Sequence, residues 1–156
     1  MHAMWLWTLV LALVAAVAQA SHVLDLTQTA DYDAVVGKSA GAMVEFFAPW
    51  CGHCKRLAPT YEKLAELYAA DAQASKQVRI AKMDGTENDL PPHADIQLTG
   101  FPTIVLKPAG KHVREFIVYD GDRTLESLSD FVATQGKNKA KISVPAPEQP
   151  VKHDEL

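Results

Sequence analysis

The sequence predicts an α/β domain with a central mixed sheet flanked by helices. Strand-like and helix-like apolar patterns alternate through the first half of the chain, which points to parallel strands joined by crossover helices. Two further strand patterns then follow one another across Pro108-Ala109-Gly110, as an antiparallel edge pair would. A third observation locates the chemistry: the only two cysteines, Cys51 and Cys54, fall where a strand gives way to a helix.

Taken in order, Val23, Leu24 and Leu26 suggest a short opening strand, and Thr27 or Thr29 is expected to cap a helix running towards Val36. Residues 42–47, AMVEFF, read as a buried strand that runs straight into the cysteines. Beyond Cys51, Leu57, Tyr61, Leu64, Ala65 and Tyr68 recur at helical spacing. Pro59 lies inside that pattern and is expected to kink the helix, because it lacks a backbone donor. Residues 78–83, VRIAKM, form another strand pattern, and Pro91-Pro92 interrupt any weak helix after it. Strands are expected near 103–107 and 115–119, and Leu125, Leu128, Phe131 and Val132 define a last amphipathic helix. After Gly136 come Lys137, Lys139 and Lys141, then Pro145, Pro147 and Pro150. That composition predicts a mobile tail over residues 136–156 behind a domain of residues 21–135.

The 156 residues are enough for one domain with its own core. A formal net charge of −4 argues against nucleic acid, whose binders carry a basic face. Both ends read as addresses. Residues 3–18 are apolar, uncharged and short for a membrane span. Ala18-Gln19-Ala20 follows as a cleavage site, so residues 1–20 are expected to be a signal peptide that leaves no membrane anchor once cut. The chain finishes His153-Asp154-Glu155-Leu156, an HDEL terminus of the endoplasmic-reticulum retention type. Disulfides form and persist in that compartment.

Cys51-Gly52-His53-Cys54 admits several uses. Structural zinc takes four ligands, and one cysteine pair beside a single loop histidine falls short of that. Haem attachment requires a histidine after the second cysteine, where Lys55 stands. A structural staple over so small a loop stabilises least. Redox exchange fits best. A helix amino terminus stabilises negative charge, so the thiolate of Cys51 is favoured there, and His53 adds a donor or a positive charge beside it. Cys54, one turn on and pointing inward, is expected to resolve a mixed disulfide formed on Cys51.

The run VEFFAPWCGHCKRLAP, followed by AKMDGT and GFPT and closed by HDEL, resembles the catalytic, thioredoxin-like domain of the protein disulfide isomerase family, over about residues 22–135. The resemblance implies a thioredoxin fold and thiol–disulfide exchange on secretory proteins through the Cys51–Cys54 disulfide, with neither metal nor added cofactor. It implies as partners unfolded or disulfide-containing secretory proteins and a thiol partner that reoxidises or reduces the pair, while HDEL calls for a retention receptor.

Supporting residues follow from the same resemblance. Glu45, a lone acid in an apolar strand, is implied to lie semi-buried beneath Cys54 and to accept its proton, its pKa raised by desolvation. Lys82 occupies a comparable place in RIAKMD and is expected to neighbour Glu45 in a parallel sheet. Gly52 and His53 between the cysteines, with Lys82 and Arg123, are implied to tune the pair. Trp50 beside Cys51, and Phe101, Pro102 and Thr103 in the loop opposite, are implied to receive substrate, with Phe101–Pro102 cis. Asp122 and Thr124 read as helix caps. A non-enzymatic alternative stands beside this reading: a thioredoxin-like chaperone or binding subunit of the endoplasmic reticulum whose dithiol is incidental. The intact pair, His53 and Glu45 favour the enzyme. Larger isomerases carry two catalytic domains, and this chain has room for one.

Overall fold

The run Gly41–Phe47 is buried along almost all of its length, because it forms the middle of a sheet covered on both faces. Such a strand reads as near-continuous hydrophobic sequence rather than as alternation. The computed structural model describes residues 21–36, 40–90, 94, 96–110 and 116–146. The expected signal segment, Pro91-Pro92 and the HDEL terminus lie outside the described residues.

In chain order the elements are β1 (Leu24–Leu26), α1 (Thr29–Val35), β2 (Gly41–Phe47), α2 (Gly52–Ala70), α3 (Ala74–Gln77), β3 (Val78–Asp84), β4 (Thr103–Lys107), β5 (Ile117–Tyr119) and α4 (Leu125–Gln135). The strands lie in the order β1-β3-β2-β4-β5. β1, β3 and β2 are parallel, while β4 runs antiparallel to β2 and β5 antiparallel to β4. The mixed sheet and its antiparallel edge are as the sequence predicts.

Alternate residues of the central strands supply two cores. On one face Met43, Ile80, Ile104 and Leu106 pack with Leu57, Tyr61, Leu64 and Tyr68 of α2 and Leu128 and Val132 of α4. On the other, Ala42, Val44, Phe46, Ala81, Met83 and Val105 pack with Leu26, Tyr32 and Val36. Each such large side chain contributes about 1.5–3 kcal/mol on burial. The Tyr61 hydroxyl lies 3.0 Å from the carbonyl oxygens of both Met43 and Ala81, tying α2 to β2 and β3.

Several local expectations change. The cap position of α1 is Gln28, with no side-chain cap bond. Thr27 instead donates its amide and hydroxyl to the Asp31 carboxylate, so its hydroxyl is spent as a donor one residue before the cap position. α2 is a single helix with Pro59 inside it, as the helical spacing on both sides predicts. Between Asp84 and Thr103 the described residues form no helix. Of the capping pair before α4, Thr124 caps, accepting from the Ser127 amide, while the Asp122 carbonyl accepts the Tyr119 hydroxyl.

The chain beyond Gly136 also departs from expectation. Ala140 and Ile142 are buried in the α2/α4 core and Val144 packs against it, and the Tyr68 hydroxyl donates to the Ala140 carbonyl at 3.0 Å. The segment is held on the domain at least as far as Val144 because its apolar residues alternate with Lys139, Lys141 and Ser143, presenting one face to the core and the other to water.

Candidate active site

β2 is the strand at which the sheet changes direction, with parallel β3 on one side and antiparallel β4 on the other. Sites in open α/β sheets gather at the carboxyl end of such a strand. Here that end leads through Ala48, Pro49 and Trp50 into Cys51, the cap residue of α2. Cys51 is disulfide-bonded to Cys54, with 5.3 Å between the Cα atoms. The Cys51 sulfur accepts the Cys54 backbone N–H at 3.1 Å, as a capping oxygen would. A sulfur at that place receives both the unpaired donors and the positive end of the helix, which favours a thiolate once the disulfide opens. Both sulfurs sit in buried residues, Cys51 5% and Cys54 6% exposed, so burial does not separate them. Their surroundings do.

Cys54 shares a pocket of about 190 Å³ with Glu45, Phe47, Ala48, Pro49, Lys55, Ala58 and Lys82. Glu45 is only 4% exposed, and among the described residues its Oε1 has no hydrogen-bond partner. Burial pushes its carboxyl from 4.5 up to about 7, with the Lys82 and Arg123 cations pulling the other way. An acid with that affinity exchanges its proton readily near neutral pH. Lys82 stands opposite Glu45 in the register of β2 and β3, the neighbour expected of a parallel sheet. Its ammonium, however, makes a salt bridge to Asp25, 3.6 Å away.

On the other side of the dithiol, Trp50 is 73% exposed. Its ring meets Phe101 edge-on, with centroids 6.0 Å apart. Phe101 also packs against the cluster of Ala48, Cys51 and Cys54. The Phe101–Pro102 bond is cis, and the Thr103 hydroxyl donates to the Gly100 carbonyl at 2.7 Å. An aromatic ledge and the loop carrying the cis bond thus flank the disulfide.

His53 is exposed on the first turn of α2. Its Nδ1 lies 2.9 Å from an Arg56 guanidinium nitrogen, and arginine only donates, so Nδ1 accepts and the bond is directed along α2. Gly52 is exposed at the first helical position. Arg123 is exposed just before the cap of α4 and acts on Glu45 through its charge. Asp25 and Arg56 join the site without a motif of their own in the sequence. The signal for Arg56 was its three-residue spacing from His53 on a helix; an acid on the short β1 strand carried none. Among the described residues no cluster of side chains suits a metal ion, and no helix is long and apolar enough to cross a membrane.

A strand–turn–helix disulfide over a buried acid, on a five-stranded mixed sheet, defines a thioredoxin-type domain. The Thioredoxin family matches residues 23–134, and the chain belongs to it. Its relatives in sequence include protein disulfide-isomerases. It is 47% identical over 114 residues to the protein disulfide-isomerase of Humicola insolens, covering 73% of this chain and 21% of that protein. With the protein disulfide-isomerase of Saccharomyces cerevisiae it shares 52% identity over 94 residues, 60% of this chain and 17% of that one. The chain thus spans about a fifth of the length of these relatives. Among solved structures, the first thioredoxin domain of mouse protein disulfide-isomerase A4 superposes with a TM-score of 0.59 at 28% identity, covering 86% of this chain and 87% of that domain.

Proposed function

We propose that the chain is a thiol–disulfide oxidoreductase and isomerase that forms, reduces and rearranges disulfides in secretory proteins, with Cys51 as the exchanging sulfur and Cys54 as its resolver. The observation that carries this reading is the arrangement of the pair: Cys51 caps α2, while Cys54 and the buried Glu45 line one pocket. The sequence relatives support it.

In the oxidising direction a substrate thiolate attacks the Cys51 sulfur. The Cys51–Cys54 bond breaks, its electron pair leaves with Cys54, and Glu45 delivers a proton to that thiolate. A second substrate thiolate then attacks the substrate sulfur held on Cys51. The substrate departs with a disulfide and the pair is left reduced by two electrons. Reduction runs backwards: Cys51 thiolate attacks a substrate disulfide, Cys54 gives its proton to Glu45, and the Cys54 sulfur closes the ring. Isomerisation combines the two directions without net electron transfer. Gly52 and His53 shape the helix start, while Lys82 and Arg123 set the charge around Glu45. Trp50, Phe101, Pro102 and Thr103 receive an extended substrate segment beside the sulfurs. A separate thiol partner restores the pair after each net turnover.

Trapping tests the roles. Cys51→Ser is expected to abolish exchange, and Cys54→Ser to accumulate covalent adducts on Cys51, resolved by mass spectrometry. Adducts found only on Cys54 would reverse the assignment. The place of action proposed is the lumen of the endoplasmic reticulum, supported by the family and the HDEL sequence, with a retention receptor as partner. Removing His153–Leu156 is then expected to release active protein into the medium; retention without those residues counts against it.

A further inference from the structure

Three ionisable residues lie in one row across the sheet. Asp25 of β1 stands opposite Lys82 of β3, and Lys82 stands opposite Glu45 of β2. Residues in register on neighbouring strands share a face, with strands about 4.8 Å apart. Lys82 is therefore set between two carboxylates, one at the edge of the sheet and one buried at its centre. Its ammonium takes the outer one, 3.6 Å from Asp25 Oδ2, where the side chains are 35% and 56% exposed. Its Nζ lies 5.7 Å from the centre of the Phe47 ring. Glu45 Oε1 meanwhile has no hydrogen-bond partner among the described residues. A strongly hydrated ammonium with two carboxylates in reach keeps more of its water at the exposed one.

We propose that Asp25 is a positioning residue for the proton acceptor beside Cys54: its carboxylate holds the Lys82 ammonium at the open edge of the sheet and so keeps Glu45 out of a direct ion pair. The proposal rests on the reading of Glu45 as the group that exchanges a proton with Cys54. A lysine paired with Glu45 would fix the carboxylate in its charged form, and a permanently charged acid has no proton to return when Cys54 leaves.

The other polar and charged groups around Glu45 come from elsewhere. Cys54 and Lys55 of α2 line the same pocket, and Arg123 acts from before α4. Tyr61 of α2 senses the Glu45 charge, but its hydroxyl is committed to Met43 and Ala81. β4 offers the apolar Ile104 opposite Glu45. Among these cations Lys82 alone has a salt bridge to another carboxylate among the described residues.

The test uses the full chain with carbon-13 in its glutamate carboxyls, and follows the titration of Glu45 by NMR in the parent, Asp25→Asn, Lys82→Met and the double variant. The pH profile of exchange with a small disulfide peptide is measured on the same four proteins. Asp25→Asn is expected to lower the Glu45 midpoint by roughly half a pH unit to one unit, as a released cation approaches. With Lys82→Met already present it is expected to do nothing measurable, and Asp25→Glu is expected to retain the parent midpoint. Amide spectra establish that each variant is folded. An unmoved midpoint in Asp25→Asn overturns the proposal. So does an equal shift with and without Lys82, which would mean that Asp25 acts by its own charge. A midpoint that falls while the exchange profile stays put upholds the Asp25 arrangement and removes Glu45 from the proton path.

Discussion

Glu45→Gln separates the energetic role of the buried acid from everything else in the protein. Burial raises this carboxyl from 4.5 to about 7 in the folded chain, a difference of about 3 kcal/mol between its two protonation states. The folded state holds the proton more tightly than the unfolded chain does. The stabilisation is therefore complete below about pH 4.5 and is lost as pH climbs through about 7. Across that window the slope approaches about 1.4 kcal/mol per pH unit. Glutamine has nearly the shape of the protonated acid and no charge to desolvate, so it is expected to match the parent at acid pH and to exceed it by about 3 kcal/mol at pH 8.5. Urea denaturation of both proteins with the Cys51–Cys54 disulfide intact, at intervals from pH 4 to 8.5, gives the difference directly. The carboxylates Asp31 and Asp71, lowered by their hydrogen bonds, are common to both chains and cancel. Parallel stability curves would show that Glu45 titrates in the fold as it does in the open chain, and the argument from burial would fail.

The same Glu45→Gln protein is expected to exchange thiols more slowly by about 10²-fold, the low end for a lost proton acceptor because the pocket admits water; equal rates in both directions would leave the acid a structural role. His53→Pro removes the side chain that Arg56 contacts without breaking an intrahelical bond, since the first N–H groups of a helix have no intrahelical partner. Losing about 0.5–2 kcal/mol of thiolate stabilisation makes the reduction potential more negative by about 10–40 mV; equilibration with glutathione reads it, and a shift in the oxidising direction refutes the electrostatic role. Ile142→Ala is expected to cost about 2–4 kcal/mol, seen as a lower urea midpoint, whereas a change under about 0.5 kcal/mol would mean that the segment after Gly136 contributes no core.

The parts of this architecture most legible in the sequence are those in which one signal dominates. AMVEFF has no competing pattern, and its place as a central strand follows from apolar continuity alone. The lone acid within it, and a lysine in the next parallel strand, were enough to place Glu45 beside Lys82, as the register bears out. Where two signals competed, the louder one misled. Three prolines and the lysines Lys137, Lys139 and Lys141 after Gly136 obscured the alternation of Ala140, Ile142 and Val144, which decides that part of the fold. Thr27 has the side chain of a cap, but its hydroxyl is a donor to Asp31. Asp25 had no pattern to reveal it, since its importance lies in the pairing of β1 with β3 and not in its own surroundings.

The position of Glu45 on β2 rather than on an outer strand has a physical reason. A carboxyl with an unpartnered oxygen lowers stability wherever it is buried, and on an edge strand it would relieve that cost by turning to water. β2 is laddered on both sides, to β3 through Glu45 and Lys82 and to β4 through Glu45 and Ile104. Its backbone cannot rotate the acid away, and a slip of one residue in either ladder would send the whole apolar set to the opposite face. The two cores therefore hold in place a group that on its own would destabilise them. The strand that bears this cost is also the one whose carboxyl end delivers Cys51 to the start of α2. A single seven-residue element thus holds the buried acid in place and leads, through Ala48, Pro49 and Trp50, to the disulfide at the start of α2.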